Sequence, residues 1–116
     1  MQRDRLPLNA LPCPAENVFK MIGGRWKLLI LRQLFTGVKR FGELQKSLSP
    51  ITQKVLTQQL RELEQDQLLQ RVVYAEIPPK VEYSLTDLGN SLQPLIYALH
   101  DWSLEHQEVN QDGCDL

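Results

Sequence analysis

Residues 40–69, RFGELQKSLSPITQKVLTQQLRELEQDQLL, decide the fold. Their spacing predicts two helices joined by a tight corner. The first covers about Phe41 to Leu48, where Phe41, Leu44 and Leu48 fall on one helical face. Ser49-Pro50 stops it, because proline lacks a donor and disfavours helical geometry at the residue before it. Thr52 is the expected N-cap of the second helix, which extends to about Asp66. Val55, Leu56, Leu60 and Leu63 form its predicted buried stripe.

The other face of that second helix carries the chemistry. At about 100° per residue, Leu60 and Leu63 lie close to Leu56. Lys54, Gln58, Arg61 and Gln65 lie opposite, with Thr57 on a flank. Arg and Lys suit guanine or phosphate, Gln suits adenine, and Thr suits phosphate or a thymine methyl. A helix that packs by one face and offers such groups on the other fits a major groove. A solvated polar face accounts for the same pattern, so the helix alone does not decide.

The charge distribution adds to it. The formal net charge is −1, but it is unevenly spread. Between Asn17 and Arg61 stand nine basic residues (Lys20, Arg25, Lys27, Arg32, Lys39, Arg40, Lys46, Lys54, Arg61) and one acid, Glu43. From Val81 to Leu116 there are seven acids and no Lys or Arg. One half is built to approach a polyanion and the other to avoid it.

Upstream, residues 1–12 read as an extended arm with Pro7 and Pro12. Cys13-Pro14 places Cys13 at the expected N-cap of a helix from about Pro14 to Ile22, with Val18, Met21 and Ile22 inward and Phe19 covering the arm. Gly23-Gly24 breaks it. Trp26 to Leu34 contains LLIL and is apolar around most of its circumference, which predicts the central helix and a core role for Trp26. Val38 to Phe41 leads into the two-helix unit through a short extended pairing.

Downstream of Leu69 the pattern changes to alternation. Gln70 to Tyr74 and Lys80 to Leu85 read as two strands joined by Ala75-Glu76-Ile77-Pro78-Pro79. Arg71 and Lys80 are the basic residues of this hairpin placed to touch phosphate. Thr86 caps a predicted last helix, Asp87 to Glu105, kinked at Pro94. Leu88, Leu92, Leu95, Leu99 and Trp102 recur at spacings of 4, 3, 4 and 3, supported by Ile96. Such a seam packs on its own domain or on a second copy. Residues 107–116 read as an acidic tail.

These elements in this order describe a mainly α protein with a small β-hairpin, a winged helix-turn-helix. The 116 residues suit one domain, residues 13–106, between arm and tail. No apolar run reaches the roughly eighteen residues of a membrane span and no signal peptide opens the chain, so a cytoplasmic location and no membrane partner are expected. Two cysteines, Cys13 and Cys114, do not make a disulfide framework. His100 and His106 lack further ligands at metal spacing, and no nucleophile elbow or phosphate loop is present. No enzyme, metal or cofactor is expected.

The motifs Cys13-Pro14, IGGRW (Ile22 to Trp26), RFGEL (Arg40 to Leu44), VLTQQLRELE (Val55 to Glu64), PPKVEYSLT (Pro78 to Thr86) and Leu88-Gly89 together resemble the HxlR family of bacterial transcription regulators. The resemblance runs from Cys13 to Trp102. It implies a homodimer, held through the first and last helices, that binds double-stranded operator DNA. It places the recognition helix at Thr52 to Asp66 and the wing at Arg71 to Tyr83. The expected base contacts are Lys54, Gln58 and Arg61, supported by Thr52, Gln53 and Thr57. The expected phosphate contacts are Arg40, Lys46, Arg71 and Lys80. Val18, Leu92, Leu95, Ile96, Leu99 and Trp102 are the expected dimer interface. Some family members sense oxidants, quinones or aldehydes at an N-terminal cysteine before proline, which makes Cys13 the candidate sensor for an oxidant or small-molecule effector. A helix start favours the thiolate there. Two other readings stay open at this point: a winged-helix protein-interaction module without DNA binding, and a MarR-type ligand-responsive repressor.

Overall fold

The computed structural model describes residue 9 and residues 11–106. Most of the expected arm, the whole expected tail and Cys114 lie outside the described residues. Helix α1 spans Ala15–Ile22 and α2 Arg25–Leu34; strand β1 is Lys39–Arg40; α3 is Phe41–Ser47 and α4 Gln53–Gln65; strands β2 and β3 are Leu69–Tyr74 and Lys80–Leu85; α5 is Asp87–Asn90 and α6 Gln93–Glu105.

Helix α2 is the centre, as its apolar circumference predicts. Leu29, Ile30, Leu31 and Leu34 are buried, and Trp26 packs partly buried against the same cluster. Leu44 of α3, Leu56, Leu60 and Leu63 of α4, Leu68, and Leu69 at the start of β2 join it in the core, with Ile22, Leu48, Ile51, Tyr83 and Ile96. One basic residue joins them. Lys27 is 8% exposed, so it leaves the set of cations available to a polyanion.

The hairpin belongs to a three-stranded antiparallel sheet of order β1-β3-β2. Leu69 faces Leu85 at its base and Tyr74 faces Lys80 at its tip. The short extended pairing expected before α3 is β1, with Lys39 opposite Tyr83 and Arg40 opposite Glu82. This pairing ties the wing to the start of α3.

The segment after the wing departs from expectation. A single helix from Asp87 to Glu105 is replaced by α5 and α6, with Ser91 and Leu92 between them. Proline supplies the reason. Pro94 lies in the first turn of α6, where a missing N–H costs no helical hydrogen bond, rather than at an interior kink. The heptad seam is therefore broken, with Leu88 on α5 and Leu95, Leu99 and Trp102 on α6. Thr86 does cap α5: its Oγ1 accepts from the Gly89 N–H at 3.0 Å and donates to the Gln67 carbonyl at 2.6 Å. Gly89 is required there, because a Cβ would collide with the Leu68 carbonyl.

At the other end, the N-cap of α1 is Pro14 and not Cys13. Cys13 sits one position earlier, where its carbonyl accepts from the Glu16 N–H at 3.0 Å. Val18 and Met21 pack on the core beside buried Ile22, while Phe19 is 70% exposed.

Candidate nucleic-acid interface

Both ends of α4 are fixed by local chemistry. The Thr52 hydroxyl accepts from the Val55 N–H at 3.1 Å, satisfying one of the orphan donors of the first turn. At the far end the Leu68 N–H returns to the Leu63 carbonyl and the Gln67 N–H to the Glu64 carbonyl, each at 2.9 Å. Gln67 takes φ 63°, the left-handed turn such an ending needs. Leu63 and Leu68 are both fully buried beneath this turn.

Leu56, Leu60 and Leu63 hold α4 on the core by one face. Gln53, Lys54, Gln58 and Arg61 are exposed on the other, with Thr57 half-buried between. Together with Val55 and Gln59 they line one open depression along the helix. Among the described residues no carboxylate pairs with Lys54 or Arg61. Both cations are therefore free to meet phosphate or guanine.

The flanks carry further basic groups. Arg40 is exposed at the entry to α3, its backbone N–H held by Glu43 Oε1 at 2.8 Å. Lys46 is exposed in the last turn of α3. The wing differs. Arg71 lies 3.7 Å from Glu64, and Lys80 lies 3.9 Å from Glu82 and over the Tyr74 ring at 4.6 Å. Tyr74 donates to Glu82 at 3.0 Å, and this hydrogen bond holds its hydroxyl proton above the ordinary tyrosine range. The wing cations thus have local partners, unlike those of α4. At the base of the sheet, burial pushes the Tyr83 hydroxyl up in the same direction.

The contact that spacing did not reveal lies behind α4. Lys27 of α2 reaches Glu62 Oε1 at 2.6 Å, and Glu62 Oε2 accepts from Gln58 Nε2 at 2.7 Å. The hydrogen bond from Lys27, then that from Gln58, hold the Glu62 carboxyl below its ordinary range. Glu62 stands on the flank of the helical wheel, which marks it as a border residue. Its partner lies on another helix far away in sequence.

The expected subunit interface divides. Leu95, Leu99 and Trp102 are exposed on α6, joined by Tyr97 and Leu104. Val18 and Leu92 are partly buried against this chain's own core. Ile96 is 1% exposed and belongs to that core, so it is unavailable to a partner surface.

The family model described as an HxlR-like helix-turn-helix matches residues 21–111. The chain belongs to the HxlR-like family. Among HxlR-like relatives, it is 48% identical over 96 residues to the uncharacterized HTH-type transcriptional regulator YdeP of Bacillus subtilis, covering 83% of this chain and 75% of that protein. It is similar to the redox regulator HypR in its oxidized form, with TM-score 0.76 and 44% identity over 80% of this chain and 96% of that one. It is also similar to the reduced form of the transcriptional regulator YodB from B. subtilis, with TM-score 0.72 and 39% identity over 80% of this chain and 92% of that one. The fold and order of elements are those of winged-helix regulators. No helix among the described residues is long and apolar enough to cross a membrane.

Proposed function

We propose that this HxlR-like protein is a transcriptional regulator that binds a pseudopalindromic operator as a homodimer, with α4 in the major groove. The observation that carries the reading is the division of α4: three buried leucines on one face and the unpaired cations Lys54 and Arg61 with Gln58 on the other. Two such helices related by a dyad enter successive grooves about 34–36 Å apart. Lys54, Gln58 and Arg61 contact bases, supported by Gln53 and Thr57. Thr52 holds the helix start by its cap. Arg40 and Lys46 grip phosphate, and Arg71 and Lys80 do so by exchanging their local carboxylates for the backbone. The exposed Leu95, Leu99 and Trp102 supply the apolar surface of the dimer.

Arg61→Ala tests this. Operator affinity falls roughly 5- to 150-fold, the worth of one good bidentate contact. The fold, followed by circular dichroism, is unchanged. Wild-type affinity also falls steeply with salt, because each neutralised phosphate releases counterions. Unchanged affinity for Arg61→Ala in a gel-shift titration removes Arg61 from the interface. A salt-independent complex favours the protein-interaction reading instead.

Control by oxidation is the second part of the proposal. Cys13 is half-buried just before α1, and HypR, a similar protein, is described as a redox regulator. An oxidant such as diamide takes two electrons and two protons from a pair of Cys13 thiols, one per subunit, leaving a disulfide that shifts the two reading helices. Non-reducing gels run beside a DNA-binding assay test it. Cys13→Ser that behaves like wild type in both removes the switch.

A further inference from the structure

The Lys27–Glu62–Gln58 chain runs from the core to the proposed reading face. Its inner member is a buried ammonium, 8% exposed, whose one carboxylate partner among the described residues is Glu62. Its outer member, Gln58, is exposed beside Arg61 and Lys54. Glu62 joins them by spending one oxygen on each neighbour, at 2.6 Å to Lys27 and 2.7 Å to Gln58.

The carboxylate dictates how Gln58 points. An ionised carboxylate only accepts hydrogen bonds, so Gln58 must turn its amino group to Glu62 and its carbonyl oxygen away. A free glutamine amide has a broad, roughly two-fold terminal torsion and offers either end. Held by Glu62, Gln58 offers outward its carbonyl oxygen and the one N–H left over. Adenine presents a donor and an acceptor in the major groove and matches that pair; guanine presents two acceptors and does not. Lys27 makes the arrangement tolerable next to DNA. A bare carboxylate on the reading face would repel phosphate, whereas this one is neutralised from the protein side.

Resting on the reading of α4 as the recognition helix, we propose that Glu62 is a specificity-determining positioning residue: anchored by Lys27, it locks the amide of Gln58 so that this side chain reads adenine and rejects guanine at one position of each half-site.

The test selects DNA from a random pool with the full-length wild-type protein. It then measures affinity for the selected site with adenine or guanine at each position. Gln58→Ala identifies the position that Gln58 reads. There the wild type prefers adenine by roughly 5- to 150-fold. Glu62→Gln loses the fixed acceptor, and its preference at that position falls to about twofold or less while every other position is unchanged. The paired variant Lys27→Met, Glu62→Leu guards against misfolding, since it leaves no unpaired ammonium in the core. It shows the same single-position loss. A merely structural role would instead weaken all positions together, and that result overturns the proposal. So does a preference that survives intact in both variants. If Gln58→Ala alters no position, Gln58 is not a reader and the inference falls while the regulator stands. If the wild type selects no sequence at all, the reading of α4 itself falls.

Discussion

Helices α4 and α6 are each 13 residues long, and they solve opposite problems. Helix α4 buries Leu56, Leu60 and Leu63 and, apart from half-buried Val55, turns polar and charged groups outward. Helix α6 buries Ile96 alone and leaves Leu95, Tyr97, Leu99, Trp102 and Leu104 in the open. The start of α4 is held by the Thr52 side chain, whereas that of α6 has no side-chain cap. One helix is finished within the chain and presents a polar face to solvent. The other keeps an apolar surface that a single chain does not cover, of the kind that marks an interface. If α4 reads DNA and α6 joins two copies, as proposed, a change on one helix can be read without disturbing the other.

The sharpest way to break this comparison is to shorten a leucine on each helix. Leu60→Ala leaves a cavity between α4 and the core and costs about 2–5 kcal/mol in urea unfolding. Leu99→Ala costs an isolated subunit about 0.5 kcal/mol or less, because water already reaches the side chain. If α6 joins two subunits, the Leu99 penalty grows with protein concentration, since assembly stabilises only the folded state. Equal penalties for the two variants in dilute solution would erase the distinction. A smaller effect sharpens it at the helix starts. Thr52→Ala removes the acceptor of the Val55 N–H and costs about 1 kcal/mol.

The two helices were also unequally legible. In α4 the period of the leucines, the Ser49-Pro50 stop and the Thr52 cap are all local signals, and the structure places each as spacing predicts. In α6 the leucine rhythm spans a break that Pro94 imposes, and Leu88 and Leu92 fall outside the helix. Periodicity also assigned Ile96 to a partner, although the core of its own chain claims it. A helical pattern says which residues share a face, not which neighbour that face meets. The same limit hid Lys27. Composition counts it as a cation for DNA, and only the packing of α2 against α4 turns it inward to Glu62. Cys13 missed the cap position by one residue because proline itself can occupy the place before the first helical turn.

Acid should weaken the Lys27–Glu62 contact slightly, and in a defined direction. The Glu62 carboxyl is held below its ordinary range, first by the hydrogen bond from Lys27 and next by that from Gln58. A depressed carboxylate stabilises the fold at every pH above its unfolded value, about 4.3. That contribution fades as the pH falls through the lower folded value, because both folded and unfolded forms are then protonated. In urea unfolding, wild type should therefore lose more stability than Glu62→Gln between pH 7 and about pH 3. The gap is small, because the Glu62 side chain is 35% exposed and water competes for it. Comparing the two proteins cancels the other carboxylates, which titrate in both. A wild-type advantage over Glu62→Gln that grows instead of shrinking in acid would mean that Glu62 is not held as a carboxylate against α2.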